Sequence, residues 1–284
     1  MRMEGWKYYN HAMIPAVPPH EAPDMRPIEN GNIWKRGGGT PLFARWTTDW
    51  DCGTETNWWY VIKDEAFDID ALKSKRRYEI NKGNKNFQVR RIKPSEYPEE
   101  MFMIATAAYE TYPSAYRPNI THESFIDEVI KRDGLYVTYG VFSNSDGQLY
   151  GYACLREGNG YIDFTELKVV PDMEKLAINA ALVNRILNDY SEFISAEGYI
   201  CDGSRNINHE THFQDYLEKY FGFRKAYCRL HIQYNPKIKW LIKLLFPLRK
   251  ALAAFDGIGI FHSINSVLKM EEICCSNFRA NRSI

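Results

Sequence analysis

No stretch of the 284-residue chain reaches the roughly 18 apolar residues that a membrane-spanning helix needs. The opening segment, MRMEGWKYYNHAMIPAVPPHE, has no continuous apolar run either, so no secretory signal is expected. The six cysteines (Cys52, Cys154, Cys201, Cys228, Cys274 and Cys275) include no C-x-x-C pair. That excludes a disulfide-framed module and makes reduced thiols in the cytoplasm the expectation. No internal repeat is visible, and there is no net charge: Lys plus Arg and Asp plus Glu are both 36. A neutral chain is not built to grip duplex DNA. The neutrality is unevenly spread, however. From Gly222 onward 11 basic residues face 3 acidic ones, which leaves 25 basic and 33 acidic before it. A basic tail of this kind suits an anionic surface.

What is present is an ordinary globular composition, 45% hydrophobic and 25% charged, with aromatic residues raised to 14%. A chain of this length removes roughly three quarters of its unfolded surface from water, enough for a substantial core. Residues 1–57 are rich in Pro and Gly but interleave Trp6, Tyr8, Tyr9, Trp34, Phe43, Trp46 and Trp50. So many rings predict an arm packed on the body, not a disordered tail.

From Trp58 onward the periodicity alternates. WWYVIK (58–63) reads as a strand, followed by a helix capped by Asp68 and ended by Gly83. Phe87–Ile92 is a strand; helices are predicted over 96–112 and, capped by Thr121, over 122–132. Strands 135–142 and 149–156 flank the hairpin signal Asp146-Gly147. Another strand covers 160–170, and the longest helix is predicted over 173–196. Then come a short strand at 199–202, a helix capped by Asn208, and a strand over 223–234. This order predicts an α/β (α+β) fold, a mixed sheet covered by helices. It divides the chain into the arm (1–57), a body (58–235) and a helical tail (236–284).

A hairpin feeding a strand and then a long helix resembles the GNAT acyltransferase fold, with its mixed, mostly antiparallel central sheet. LKSKRRYEINKGNKNFQV (72–89) is similar to the Arg-rich opening of the Fem-type branch, whose members aminoacylate peptidoglycan precursors. YICDG (199–203) resembles the strand end of that branch, and HETHFQDYLEKYFGF (209–223) the superfamily's closing helix and Gly-Phe turn. The likeness covers about residues 58–235. It implies transfer of an acyl or aminoacyl group to an amine, on a small molecule or a cell-envelope glycan precursor. The donor is acyl-CoA such as acetyl-CoA, or alternatively aminoacyl-tRNA, without a metal. One departure bears on the donor. The superfamily's glycine-rich pyrophosphate loop is replaced by Asp172-Met173-Glu174-Lys175-Leu176-Ala177-Ile178-Asn179, with no glycine. Acids at a helix start favour cations over phosphate.

The resemblance implies Glu166 as base and Tyr216 as general acid, with Val169, Val170 and Lys175 at the donor. Asp163, an odd number of residues from Glu166, is expected on the opposite face. Asp202, Arg205, His209 and Arg77 are the candidate substrate ligands. Asp202 ends a buried strand, where ligands collect in open sheets. Arg77 belongs to a basic run of nine Lys or Arg against Glu79 alone, and Arg76 points about 100° away from it. A metal reading of Cys201, Asp202, His209 and His212 lacks a second pair at ligand spacing.

The segment 237–254, KIKWLIKLLFPLRKALAA, combines Lys with Trp and Leu at helical spacing. That pattern suits a membrane interface, placing the protein peripherally at the inner face, or packing on the body or on a second copy in a homodimer. The alternative to an enzyme is a non-catalytic GNAT-fold binding or scaffolding protein, for which the missing glycine loop is the support.

Overall fold

The computed structural model describes residues 5–35, 41–112, 117–207, 212–256 and 259–280. In chain order, β1 (Trp6–Tyr9), β2 (Ala12–Pro15) and a single helical turn α1 (Arg26–Glu29) precede β3 (Phe43–Thr48) and β4 (Trp58–Lys63). Then follow α2 (Ser74–Asn86), β5 (Phe87–Ile92), α3 (Pro98–Glu110) and α4 (His122–Ile130). The strands β6 (Val137–Ser143), β7 (Leu149–Gly158) and β8 (Tyr161–Val169) lead into α5 (Ile178–Asp189) and α6 (Ser191–Ser195). The chain continues through β9 (Tyr199–Ser204), α7 (His212–Phe221), β10 (Arg224–Tyr234), α8 (Pro236–Leu245), α9 (Arg249–Leu252) and α10 (Gly259–Ala280). The class is mixed α/β with mostly antiparallel pairing.

Two compact units share the chain. The first gathers Met1–Tyr60, Ser204–Thr211 and Lys225–Ile284; the second comprises Val61–Gly203 and His212–Arg224. In the first unit β1 and β2 form a hairpin, β2 runs parallel to β3, and β3 pairs antiparallel with β10 from Phe43↔Tyr234 to Thr48↔Arg229. The rings of the N-terminal segment are held by burial. Trp6, Met13, Ile28, Ile33 and Ala44 make one core cluster, and the Trp6 indole N–H donates to the Asp24 carbonyl at 2.7 Å. A second cluster joins Phe43, Trp58, Leu230 and Tyr234 to Ile242 of α8 and Leu268 and Ile273 of α10. Both ends of the sequence therefore contribute to one unit.

In the second unit β5, β6, β7 and β8 are successive antiparallel neighbours, and β9 pairs parallel with β8. α3 and α4 cover one face: Met101, Ile104, Phe125 and Val129 pack on Phe142, Tyr152 and Cys154. The N-terminus of α4 is capped as expected, with Thr121 Oγ1 accepting from the Ser124 amide. The opposite face carries α5, where the Tyr139 hydroxyl donates to Asp189 at 2.9 Å.

Three local expectations are corrected. Asp68 does not cap α2; its carboxylate accepts the Asp70 amide, and α2 starts at Ser74. Gly83 does not end α2 but lies inside it, where a Cβ would stand 2.5 Å from the Ala177 carbonyl oxygen and 2.9 Å from the Ala181 nitrogen. The glycine thus buys close approach of α2 to the start of α5. The long helix predicted over 173–196 is divided: Pro171–Leu176 is a 3-10 segment, Ala177 takes the left-handed φ of 65°, and α5 starts only at Ile178. Pro171 supports the tighter turn, because its missing N–H is an orphan at a helix start.

Candidate active site

The second unit opens between its two parallel strands. β8 and β9 are in register only from Tyr161↔Tyr199 to Asp163↔Cys201, yet β8 runs on to Val169. On its other side β8 stays paired with β7 along its length, from Gly158↔Tyr161 to Gly151↔Val169. A fork therefore opens after Asp163, and Asp202 is the first residue of β9 beyond the last paired position. Ligands collect where strands part in this way in open sheets.

The environment of Asp202 suits proton transfer. Burial pushes its carboxyl from 3.8 up to about 7, a hydrogen bond from Gln214 pulls the other way, and nearby Asp163 adds to the rise. The carboxyl does not cap the turn after it: the Gly203 amide goes instead to the Cys201 sulfur, at 3.3 Å. Gly203 has φ of 96° with open space where a side chain would sit. A carboxyl poised near neutrality exchanges a proton with substrate at little thermodynamic cost.

Glu166 has a different setting. Its Oε2 accepts from Arg132 at 2.6 Å and its Oε1 from the Tyr152 hydroxyl at 3.2 Å, with both members of the ion pair largely buried. Arg132 also reaches Glu128 at 3.1 Å and the Cys154 sulfur at 3.5 Å. Two residues on, Lys168 donates to the Tyr112 hydroxyl at 3.0 Å and lies over the Tyr109 ring. Burial and the Glu166 charge raise the Tyr109 phenol to about 12.

The register also corrects the expected orientation of Asp163. Cys154 faces Glu166 and Leu155 faces Phe164, so Thr165 is the extra residue of a bulge. One inserted residue reverses the alternation beyond it. Asp163 is opposite Arg156 and Glu166 opposite Cys154, two apart on β7, so both acids occupy the same face, the one that α3 and α4 cover.

Tyr216 lies on α7 among Phe213, Tyr220 and Phe221, with ring centroids 4.9–6.0 Å away. Burial first, then the Glu79, Tyr220 and Glu174 charges, hold its phenol well above the ordinary tyrosine range, so it keeps its proton. Gln214, the partner of Asp202, precedes it by two residues, roughly 200° around the helix. α7 therefore serves Asp202 and Tyr216 from different sides.

The proposed donor segment follows directly. Val169 ends β8 opposite Gly151, the Val170 amide donates to the Tyr150 carbonyl at 2.9 Å, and Lys175 is exposed. Asp172 and Glu174 occupy the first turn of the 3-10 segment, and the Met173 and Ala177 amides are satisfied within it. The two acids and the two engaged amides disfavour a coenzyme A pyrophosphate on this turn.

The remaining candidates are dispersed. Arg77 donates to the Asp70 carbonyl at 2.8 Å and so ties down the loop before α2. Arg205 belongs to the first unit, where it donates to the Asn57 carbonyl at 2.7 Å and stacks over Trp59 at 4.4 Å. His209 and the predicted cap Asn208 lie outside the described residues. Among the described residues no cluster of three or more His, Cys, Asp and Glu is arranged for a metal. Sequence reasoning missed Arg132, Tyr152 and Gln214. Glu128–Arg132 has helical salt-bridge spacing, but nothing in it signals that the guanidinium reaches β8, 34 residues on.

No family model and no curated protein matches the chain. Solved structures do. The structure of L-PGS from Bacillus licheniformis superposes with a TM-score of 0.53 at 11% identity, over 84% of this chain and 83% of that one. A conserved protein of unknown function from Bacteroides thetaiotaomicron gives 0.50 at 12% identity, over 78% of each chain. The C-terminal domain of a putative lysylphosphatidylglycerol synthetase from Agrobacterium fabrum gives 0.46 at 10% identity, over 82% of this chain and 81% of that one. At these identities the likeness is one of fold.

Proposed function

We propose that this protein transfers an aminoacyl group from an activated ester to an amine or hydroxyl at the cell envelope, with a lipid headgroup as acceptor. The observation that carries the reading is Asp202, a carboxyl held near 7 at the point where β8 and β9 part. The acceptor would lose its proton to Asp202 as its nitrogen or oxygen attacks the ester carbonyl. The bond to the departing hydroxyl breaks, and the proton that Asp202 has taken from the acceptor is returned to it. Gln214 orients the base. Glu166, held between Arg132 and Tyr152, fixes β8 against the turn after α4 rather than taking a proton.

The choice of donor follows from the 171–176 segment, whose acids and engaged amides suit neither acetyl-CoA nor a longer acyl-CoA. Aminoacyl-tRNA is the donor class that the Fem-type resemblance implies. The fold shared with L-PGS, a lysylphosphatidylglycerol synthetase by name, supports a lysyl donor and a phospholipid acceptor over a glycan precursor.

The test is single-turnover transfer from labelled lysyl-tRNA to phosphatidylglycerol vesicles, with acetyl-CoA as a parallel donor. Removing a positioned base typically costs about 10²–10⁴-fold, so Asp202→Asn should lose about that much while Glu166→Gln, if folded, retains most of the rate. Turnover that survives Asp202→Asn within threefold would remove the base. No turnover on any aminoacyl or acyl donor would leave the scaffolding alternative.

A further inference from the structure

The first unit presents a helix that is apolar on two sides. In α8 one side is inward: Ile242 is buried, and Ile238 and Leu245 are packed against the cluster of Phe43, Trp58 and Leu268. The other side is exposed and still apolar, with Trp240 62% and Leu244 61% accessible. At 100° per residue these two lie about 40° apart, and Lys239 and Lys243 flank them on one side while Lys237 and Leu241 flank them on the other. The pattern continues past the kink, where Leu248 and Phe255 are more than half exposed and Lys250 is exposed. Pro247 lies in the 3-10 turn that separates α8 from α9.

Charge identifies the occupant. Residues 236–256 hold five basic side chains (Lys237, Lys239, Lys243, Arg249 and Lys250) against Asp256 alone. Of these, Arg249 pairs with Glu272 at 3.1 Å; none of the four lysines forms an ion pair among the described residues. A second protein surface would need a matching acidic, apolar face. An anionic lipid interface supplies both features at once: acyl chains accept Trp and Leu, and the lysine stems snorkel to headgroup phosphates. Among the described residues no helix is long and apolar enough to cross a membrane, so the contact is with one leaflet.

We propose that the exposed face of α8, continued by Leu248 and Lys250, docks the protein on an anionic membrane surface. The docking needs no turnover, so it stands or falls separately from the catalytic assignment.

Flotation of the full chain with vesicles tests it. Vesicles of phosphatidylcholine with about one third phosphatidylglycerol, which carry a negative surface potential, should capture the protein, and pure phosphatidylcholine should not. A juxtamembrane lysine contributes about 1 kcal/mol near such a surface, or about fivefold in partition. Lys239→Gln and Lys243→Gln together should therefore lower capture about 25-fold, and raised salt should do likewise. Trp240→Ser with Leu244→Ser should abolish capture. These four side chains are exposed, so unchanged thermal unfolding of the variants will show that the fold persists. Folded protein that ignores anionic vesicles overturns the proposal, as does capture unchanged in both variants. A concentration-dependent dimer lost in Trp240→Ser with Leu244→Ser, without vesicle capture, would give the face to a second copy instead.

Discussion

Replacement of Arg132 by methionine is the sharpest perturbation of the second unit. It removes the guanidinium that lies 2.6 Å from Glu166, a carboxylate 14% exposed in the intact pair, and leaves the Tyr152 hydroxyl as its hydrogen-bond partner among the described residues. Breaking one half of a buried ion pair costs about 3–5 kcal/mol, because a charge stays behind without compensation. Both partners retain some contact with water, so the lower end, about 3 kcal/mol, is expected. The Glu128 contact adds little, since Glu128 is 70% exposed and pairs of that kind contribute at most about 0.5 kcal/mol. Glu166→Gln keeps shape and hydrogen-bonding capacity, and Arg132 keeps Glu128, so about 1–2 kcal/mol is expected. The double variant removes the stranded charge altogether and should cost clearly less than the sum, with a coupling of about 1–2 kcal/mol. Urea unfolding of the four proteins, with a common m-value, measures all three quantities. Arg132→Met costing under about 1 kcal/mol, or strict additivity in the cycle, would refute a buried, coupled pair.

Two further outcomes follow from particular contacts. Gly83→Ala places a methyl 2.5 Å from the Ala177 carbonyl oxygen, just before α5, and 2.9 Å from the Ala181 nitrogen within it, backbone atoms that cannot rotate away. It should destabilise by about 3 kcal/mol, at the upper end of overpacking costs, despite alanine's better helix propensity; a stabilised variant in urea unfolding would deny the close packing. Asp202, raised from 3.8 to about 7, retains its proton in the folded chain where the unfolded chain has lost it. Stability should therefore fall as pH rises from about 4 to about 7, by up to about 4 kcal/mol for this group, and Asp202→Asn should flatten that fall in unfolding measured across pH. The rate of transfer should change in the opposite sense, rising through about pH 7 as the base ionises.

The element order was legible because it rests on local signals. Asp146-Gly147 marks the turn between β6 and β7, Thr121 caps α4, and alternation gives β5 to β8. What escaped is what depends on distant partners. Gly83 looks like a terminator in sequence, and only its approach to Ala177 and Ala181 shows why a helix keeps it. Asp163 and Glu166 have the spacing of opposite faces, but the bulge at Thr165 is invisible without the β7 register. Asp202 was picked out by its position at a strand end, while the burial and the Gln214 contact that set its proton affinity come from tertiary structure. The arginine that engages Glu166 comes from the turn after α4, 34 residues away in sequence, where no local pattern announces it.

The composition of the first unit sets an order of assembly during synthesis. Its second core cluster needs Phe43 and Trp58 from early in the chain and Leu268 and Ile273 from near its end. At roughly 5–20 residues per second, the ribosome takes on the order of ten seconds or more between these two groups. The second unit is complete once Arg224 has emerged, so it can fold while Phe43 and Trp58 still wait for their partners. A stop codon just after β10 would leave an intact second unit joined to a cluster that keeps Leu230 and Tyr234 but lacks Ile242, Leu268 and Ile273, a species expected to engage chaperones or aggregate.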